Sequence, residues 1–159
     1  MNVWRMTKWR KFYNSHPCRS GLRVDFEKNV HPEVKRAIKD FVAWLRSEYV
    51  FPKRIRMYVK AAERIKAMDG DMVYGTLFQP FDRNEEPYAK IATGDYLDLV
   101  QEDGVDNALA KILGTIAHEL THFFQWLNDI KLTEIGEERQ ANNYSDSIIF
   151  DYSETREHP

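Results

Sequence analysis

The sequence has a single cysteine, Cys18, in 159 residues. An internal disulfide is therefore excluded, and a lone thiol fits a reducing compartment, so a cytoplasmic location is expected. Within His16-Pro17-Cys18 the thiol could present an inhibitory metal-binding group, although an idle or structural cysteine is the simpler reading. No apolar run approaches the ~20 residues that a membrane-spanning helix needs, and the N-terminus lacks the apolar core of a secretion signal. No membrane partner is expected. Helix-turn-helix and other nucleic-acid fold signatures are also missing.

What is present marks a globular chain: 43% hydrophobic and 13% aromatic residues. Its length predicts one domain over residues 1–159, with a basic, aromatic segment at 1–20 and a loose tail at 153–159. The net charge of −2 hides an asymmetry. Residues 1–66 hold 17 Lys/Arg against 6 Asp/Glu, near +11; residues 67–159 hold 6 against 19, near −13. Packing of the two parts against each other is the simple explanation. A basic surface for an acidic partner, nucleic acid included, is the sharper one. In the N-terminal stretch Trp4, Trp9, Phe12 and Tyr13 alternate with cations. They either stack on single-stranded nucleic acid or cover the core, and the missing fold signature favours the core.

The stretch with the most chemistry is His118-Glu119-Leu120-Thr121-His122. Helical spacing puts the two imidazoles one above the other, where both can reach one divalent ion. Glu119 falls about 100° further round the helix, beside the ion, where a base for its water must stand. The surrounding residues support a helix. No proline occurs from Asn107 to Asp129, and Leu109, Ile112/Leu113, Ile116, Leu120, Phe123/Phe124 and Leu127 form an apolar stripe. A catalytic zinc site needs a third protein ligand and an open position. Asn128–Gly136 reads as a connector with Gly136 as breaker, followed by a helical pattern over Glu137–Tyr152. Glu138 is the candidate ligand there. Asn142, one turn on, shares its face, and Ala141 is small enough for close helix approach.

This combination resembles the zincin metallopeptidases of the gluzincin type, and Glu138-Arg139-Gln140-Ala141-Asn142 with Asn143-Tyr144-Ser145 is most similar to the ImmA/IrrE-type small cytoplasmic peptidases. The resemblance is strong over His118–Ser145 and looser in the strands before it. It implies one Zn2+ per chain on His118, His122 and Glu138, Glu119 as general base, and Asn142 holding a ligand imidazole by its other nitrogen. Thr121 stands where the usual pattern has glycine. The implied activity is endopeptidase hydrolysis of a protein or peptide substrate, with Tyr144, Tyr88 and Arg139 as candidates for a second oxyanion donor. The rival readings are a catalytically silent zinc-binding sensor or interaction protein, and a nucleic-acid-associated protein using the basic N-terminal region. Neither oligomeric state nor substrate identity follows from the sequence.

The expected fold is α+β and zincin-like: a sheet of three or four strands packed with a supporting helix, the active-site helix and the glutamate helix. Leu22, Val24 and Phe26 alternate as a strand. Pro32 opens a helix with a stripe of Val34, Ile38, Phe41, Val42, Leu45 and Tyr49. Arg54–Lys60, Met72–Gln79 and Tyr88–Gly94 read as strands, and Ala61–Met68 as a helical connection. Tyr96–Gln101 reads as a strand extension or a loop over the cleft. Lys90, Ile91, Ala92 and Thr93 are expected on the edge strand that pairs with substrate backbone.

Overall fold

A computed structural model describes residues 2–14 and 18–159, so His16 and Pro17 lie outside the described residues. The fold is α+β. Strand β1 (Leu22–Phe26) leads through helix α2 (Pro32–Glu48) into β2 (Ile55–Lys60), a crossover that makes the two strands parallel. Helix α2 forms because Pro32 sits in its first turn, the His31 ring accepts from the Glu33 N–H, and one face is apolar. That face, Val34, Ala37, Ile38, Phe41, Val42 and Leu45, is buried. Strand β6 (Tyr88–Ala92) lies parallel to β2 on its other side, and the short β5 (Gly75–Phe78) pairs antiparallel with β6. The sheet order is β1-β2-β6-β5.

Two connections differ from expectation. Ala61–Met68 forms no helix; it enters a small hairpin of β3 (Ile65–Lys66) and β4 (Met72–Val73). The cause is the turn between them, where Gly70 takes φ +92° and Asp69 accepts from the Asp71 N–H. Tyr96–Gln101 is neither strand nor loop but part of helix α3 (Tyr96–Asp103). Tyr96, Leu99 and Val100 fall at helical spacing and pack on the core, and Gly104 at φ +87° turns the chain directly into helix α4 (Val105–Leu127).

The N-terminal segment comprises a 3-10 turn (Val3–Arg5) and the short helix α1 (Arg10–Tyr13). Three of its aromatics face inward, while Phe12 lies against the Arg83 guanidinium, 3.8 Å from its ring centroid. Trp4 is 2% exposed against Tyr49 and Phe124, and Trp9 and Tyr13 pack on the same core. The Trp4 indole N–H donates to Thr121 Oγ1 at 3.0 Å, and that hydroxyl donates to the Ala117 carbonyl at 2.8 Å. Thr121, the departure from the glycine of the resembling pattern, thus ties the first residues of the chain to the middle of α4. Cys18 is exposed. At the other end Arg36 donates to the Pro159 carbonyl, and His158 pairs with Asp106 at 2.7 Å. Among the described residues no helix is long and apolar enough to cross a membrane.

Candidate metal centre

Helix α4 is the spine of the molecule: fourteen of its residues are buried. Helix α5 (Glu134–Ser153) packs beside it. It begins three residues before the sequence pattern suggested, because the Thr133 side chain accepts from the Gly136 N–H and caps the helix. Gly136 therefore lies in the first turn and breaks nothing. The helices approach closely through small side chains. Ala141 is fully buried, and Ser145 Oγ donates to the Gly114 carbonyl at 2.7 Å.

That contact delivers Glu138 to the two histidines. His118 Nε2 and His122 Nε2 are 3.2 Å apart; the Glu138 oxygens stand 3.2 Å from the first and 3.0 Å from the second. A tetrahedral zinc site with bonds of ~2.0–2.1 Å has ligand–ligand edges of ~3.3–3.4 Å. Glu138 faces His118 with Oε2 and His122 with Oε1, so its carboxylate straddles the two imidazoles at spacings close to the edges of such a tetrahedron, and the donor set of two imidazoles and a carboxylate suits zinc. A second acidic group, Glu63, Asp95 and Asp98, also comes together. There Asp95 is committed to Arg64, and no imidazole is present.

A second layer holds the ligands. The His118 ring hydrogen-bonds the Asn142 side chain. The corresponding partner of His122 is Gln125, whose Oε1 lies 2.8 Å from Nδ1. Gln125 is oriented by its amide N–H groups, which donate to the Glu137 carbonyl (3.0 Å) and Gln140 Oε1 (2.9 Å). Since its oxygen can only accept, Nδ1 of His122 carries the proton and Nε2 presents a lone pair to Glu138 and His118. The sequence reading missed Gln125. Its one available signal was its position three residues after His122, on the adjacent part of the helix face. Gln125→Ala is expected to weaken zinc affinity ~10–100-fold, read by competition with a calibrated chelator. Wild-type affinity in that variant would remove the clamp from the account.

Glu119 is 7% exposed and has no ion-pair partner among the described residues. Burial, with a smaller push from the Glu138 carboxylate, holds its carboxyl up at about 8. The His118 ring is pushed below its ordinary value by burial and by His122, against the opposing pull of Glu138. Part of the burial of Glu119 comes from β5. A Cβ on Gly75 would sit 2.8 Å from Thr115 Cγ2 and 3.1 Å from Glu119 Cγ. Only glycine lets the strand lie this close to the helix.

His118, Glu119, Glu138 and Asn142 line one open cleft of about 1070 Å³ between α4, α5 and the β4–β5 segment. Several expected residues are elsewhere. Lys90, Ile91 and Ala92 belong to β6, which is hydrogen-bonded on both sides, by β2 and by β5, and Thr93 follows it; none is on an edge. The free edge beside α4 is β5. Tyr144 does not line the cleft and receives the Val3 N–H on the N-terminal side. Tyr88 lies on the sheet surface away from the helices, and Arg139 opens onto the outer side of α5. Tyr74 is the tyrosine that lines the cleft, half exposed and with its hydroxyl accepting from Arg64 at 2.9 Å. No protein-family profile, curated protein or solved structure matches this chain.

Proposed function

We propose that this protein is a zinc-dependent endopeptidase of the gluzincin type. The observation that carries the reading is the convergence of the His118 and His122 nitrogens and the Glu138 carboxylate at 3.0–3.2 Å, with the buried Glu119 carboxyl beside them. The architecture supports it as well: α2 as supporting helix, α4 as active-site helix, α5 as glutamate helix, and an antiparallel edge strand next to α4.

Zinc held by these three side chains supplies Lewis acidity that favours ionisation of water and polarises a carbonyl. The protein's own groups do the rest. Glu119 takes a proton from the attacking water and returns it to the leaving amine, from its buried position on the cleft wall beside the ligands. Gln125 and Asn142 keep both imidazoles turned toward the ion. An extended substrate segment adds to the free edge of β5, where backbone hydrogen bonds hold it across the cleft. Tyr74, which lines the same cleft, is the proposed oxyanion donor in place of Tyr144, Tyr88 and Arg139.

The test is hydrolysis of an unfolded protein or a peptide library by the zinc-loaded protein. Cleavage within the peptide chain is expected, lost on chelation and restored by one equivalent of zinc. Zinc binding with no cleavage of any library member would leave only the silent zinc-binding reading.

A further inference from the structure

Strand alternation puts Leu22, Val24, Ile55, Met57, Ala89 and Ile91 toward the helices. The opposite parity forms the other face of the sheet, and the register aligns its residues into rows. One row runs Arg23, Arg56, Tyr88, Phe78; the next runs Asp25, Tyr58, Lys90, Thr76. Lys60 extends the face along β2. Arg23 and Tyr88 are exposed, and Arg56, Tyr58, Lys60, Phe78 and Lys90 are half-buried.

Three aromatic rings are contiguous there. Phe78 stacks on Tyr88 with centroids 5.1 Å apart, and Tyr58 meets Tyr88 edge-on at 6.0 Å. Four cations surround them: Lys90 lies 5.9 Å from the Tyr88 ring and Lys60 5.7 Å from the Tyr58 ring, with Arg23 and Arg56 alongside. Asp25 and Glu27 oppose, each 3.7 Å from a cation of the set, and Glu86 near the start of β6 is paired with Arg19. A protein of net charge −2 thus carries a positive, ring-bearing face.

Rings flanked by spaced cations match one kind of polyanion. Single-stranded nucleic acid offers a planar base and a phosphate in every repeat, and any base can stack because each has a π-face. A duplex hides its base faces, and an acidic polypeptide engages the cations but leaves the rings idle. We infer that the outer face of the sheet binds single-stranded nucleic acid with little sequence preference. Bases stack on Tyr58, Tyr88 and Phe78, and phosphates meet Arg23, Arg56, Lys60 and Lys90. This surface is separate from the N-terminal segment, where Trp4, Trp9 and Tyr13 pack on the core, and from the cleft, which lies on the helix side.

The experiment is fluorescence anisotropy of the full chain with labelled mixed-sequence oligonucleotides of about 12 nucleotides, as single-stranded RNA, single-stranded DNA and duplex. Saturable binding of at least one single strand, weakening with salt and several-fold weaker for duplex, is expected. Tyr88→Ala should weaken it ~5- to 100-fold, while Tyr88→Trp preserves it. Lys90→Glu should weaken it independently, with far-UV circular dichroism confirming that each variant is folded. No saturable binding of either single strand at low salt would overturn the proposal. So would binding that neither Tyr88→Ala nor Lys90→Glu alters, or equal displacement by polyglutamate. A preference for RNA or for DNA identifies the ligand within the proposed class.

Discussion

Glu119→Gln is expected to lower peptide hydrolysis by ~10²–10⁴-fold while zinc content stays that of the wild type. The amide fills the same space beside Gly75 and Thr115 but cannot accept a proton from water. Neither imidazole hydrogen-bonds Glu119: His122 is held by Gln125, and His118 by Asn142. The ligand geometry should therefore survive. Steady-state kinetics with parallel metal analysis checks both halves. Full activity in this variant would take Glu119 out of the chemistry, whereas loss of metal would assign it a structural role.

The same substitution has a second, opposite consequence for the metal-free protein. Burial means that the folded state keeps the Glu119 proton up to about pH 8, while the unfolded chain releases it near the ordinary 4.5. Folding stability contributed by this group is present below 4.5 and falls as pH rises toward 8, because the folded state binds more protons in that window. Each pKa unit corresponds to ~1.36 kcal/mol, so the rise from 4.5 to about 8 makes the loss on the order of 5 kcal/mol by pH 8.5. In the presence of chelator, Glu119→Gln is thus expected to be more stable than wild type at pH 8.5, with the two converging near pH 4. The His118 ring, pushed down by burial and His122, acts in the opposite direction. It costs stability as pH falls below about 6.5, but it is common to both proteins and leaves the difference intact. Urea denaturation across that pH range reads the effect, and parallel profiles would show that the Glu119 carboxyl is solvated.

The parts of this molecule written in local periodicity were legible in the sequence. The stripe of α2, the long apolar face of α4 and the four-residue spacing of His118 and His122 each follow from one helix's geometry. Glu138 could be proposed because it is carried by the next helical pattern after the connector and because Glu138–Ser145 resembles the gluzincin sequence. What failed depended on partners distant in sequence. Chain order puts β6 immediately before the helices, which suggested an edge, yet the sheet order inserts it between β2 and β5. The edge beside α4 is β5, which starts with a glycine and is only four residues long, as blunted edge strands are. Gln125 was invisible because its orientation is fixed by the Glu137 carbonyl and Gln140 on another helix. Thr121 looked like a departure from a pattern until Trp4 supplied its partner. Gly136 was misread because a glycine in a first helical turn and a helix-breaking glycine look alike without the capping contact of Thr133.

The central claim is that His118, His122 and Glu138 close around one divalent ion. Diffraction from crystals of the zinc-loaded protein, recorded on either side of the zinc absorption edge, tests it most directly. The account predicts one anomalous peak per chain, ~2.0–2.1 Å from Nε2 of each histidine and a similar distance from a Glu138 oxygen. A peak that excludes Glu138, or no peak at these residues, would contradict it.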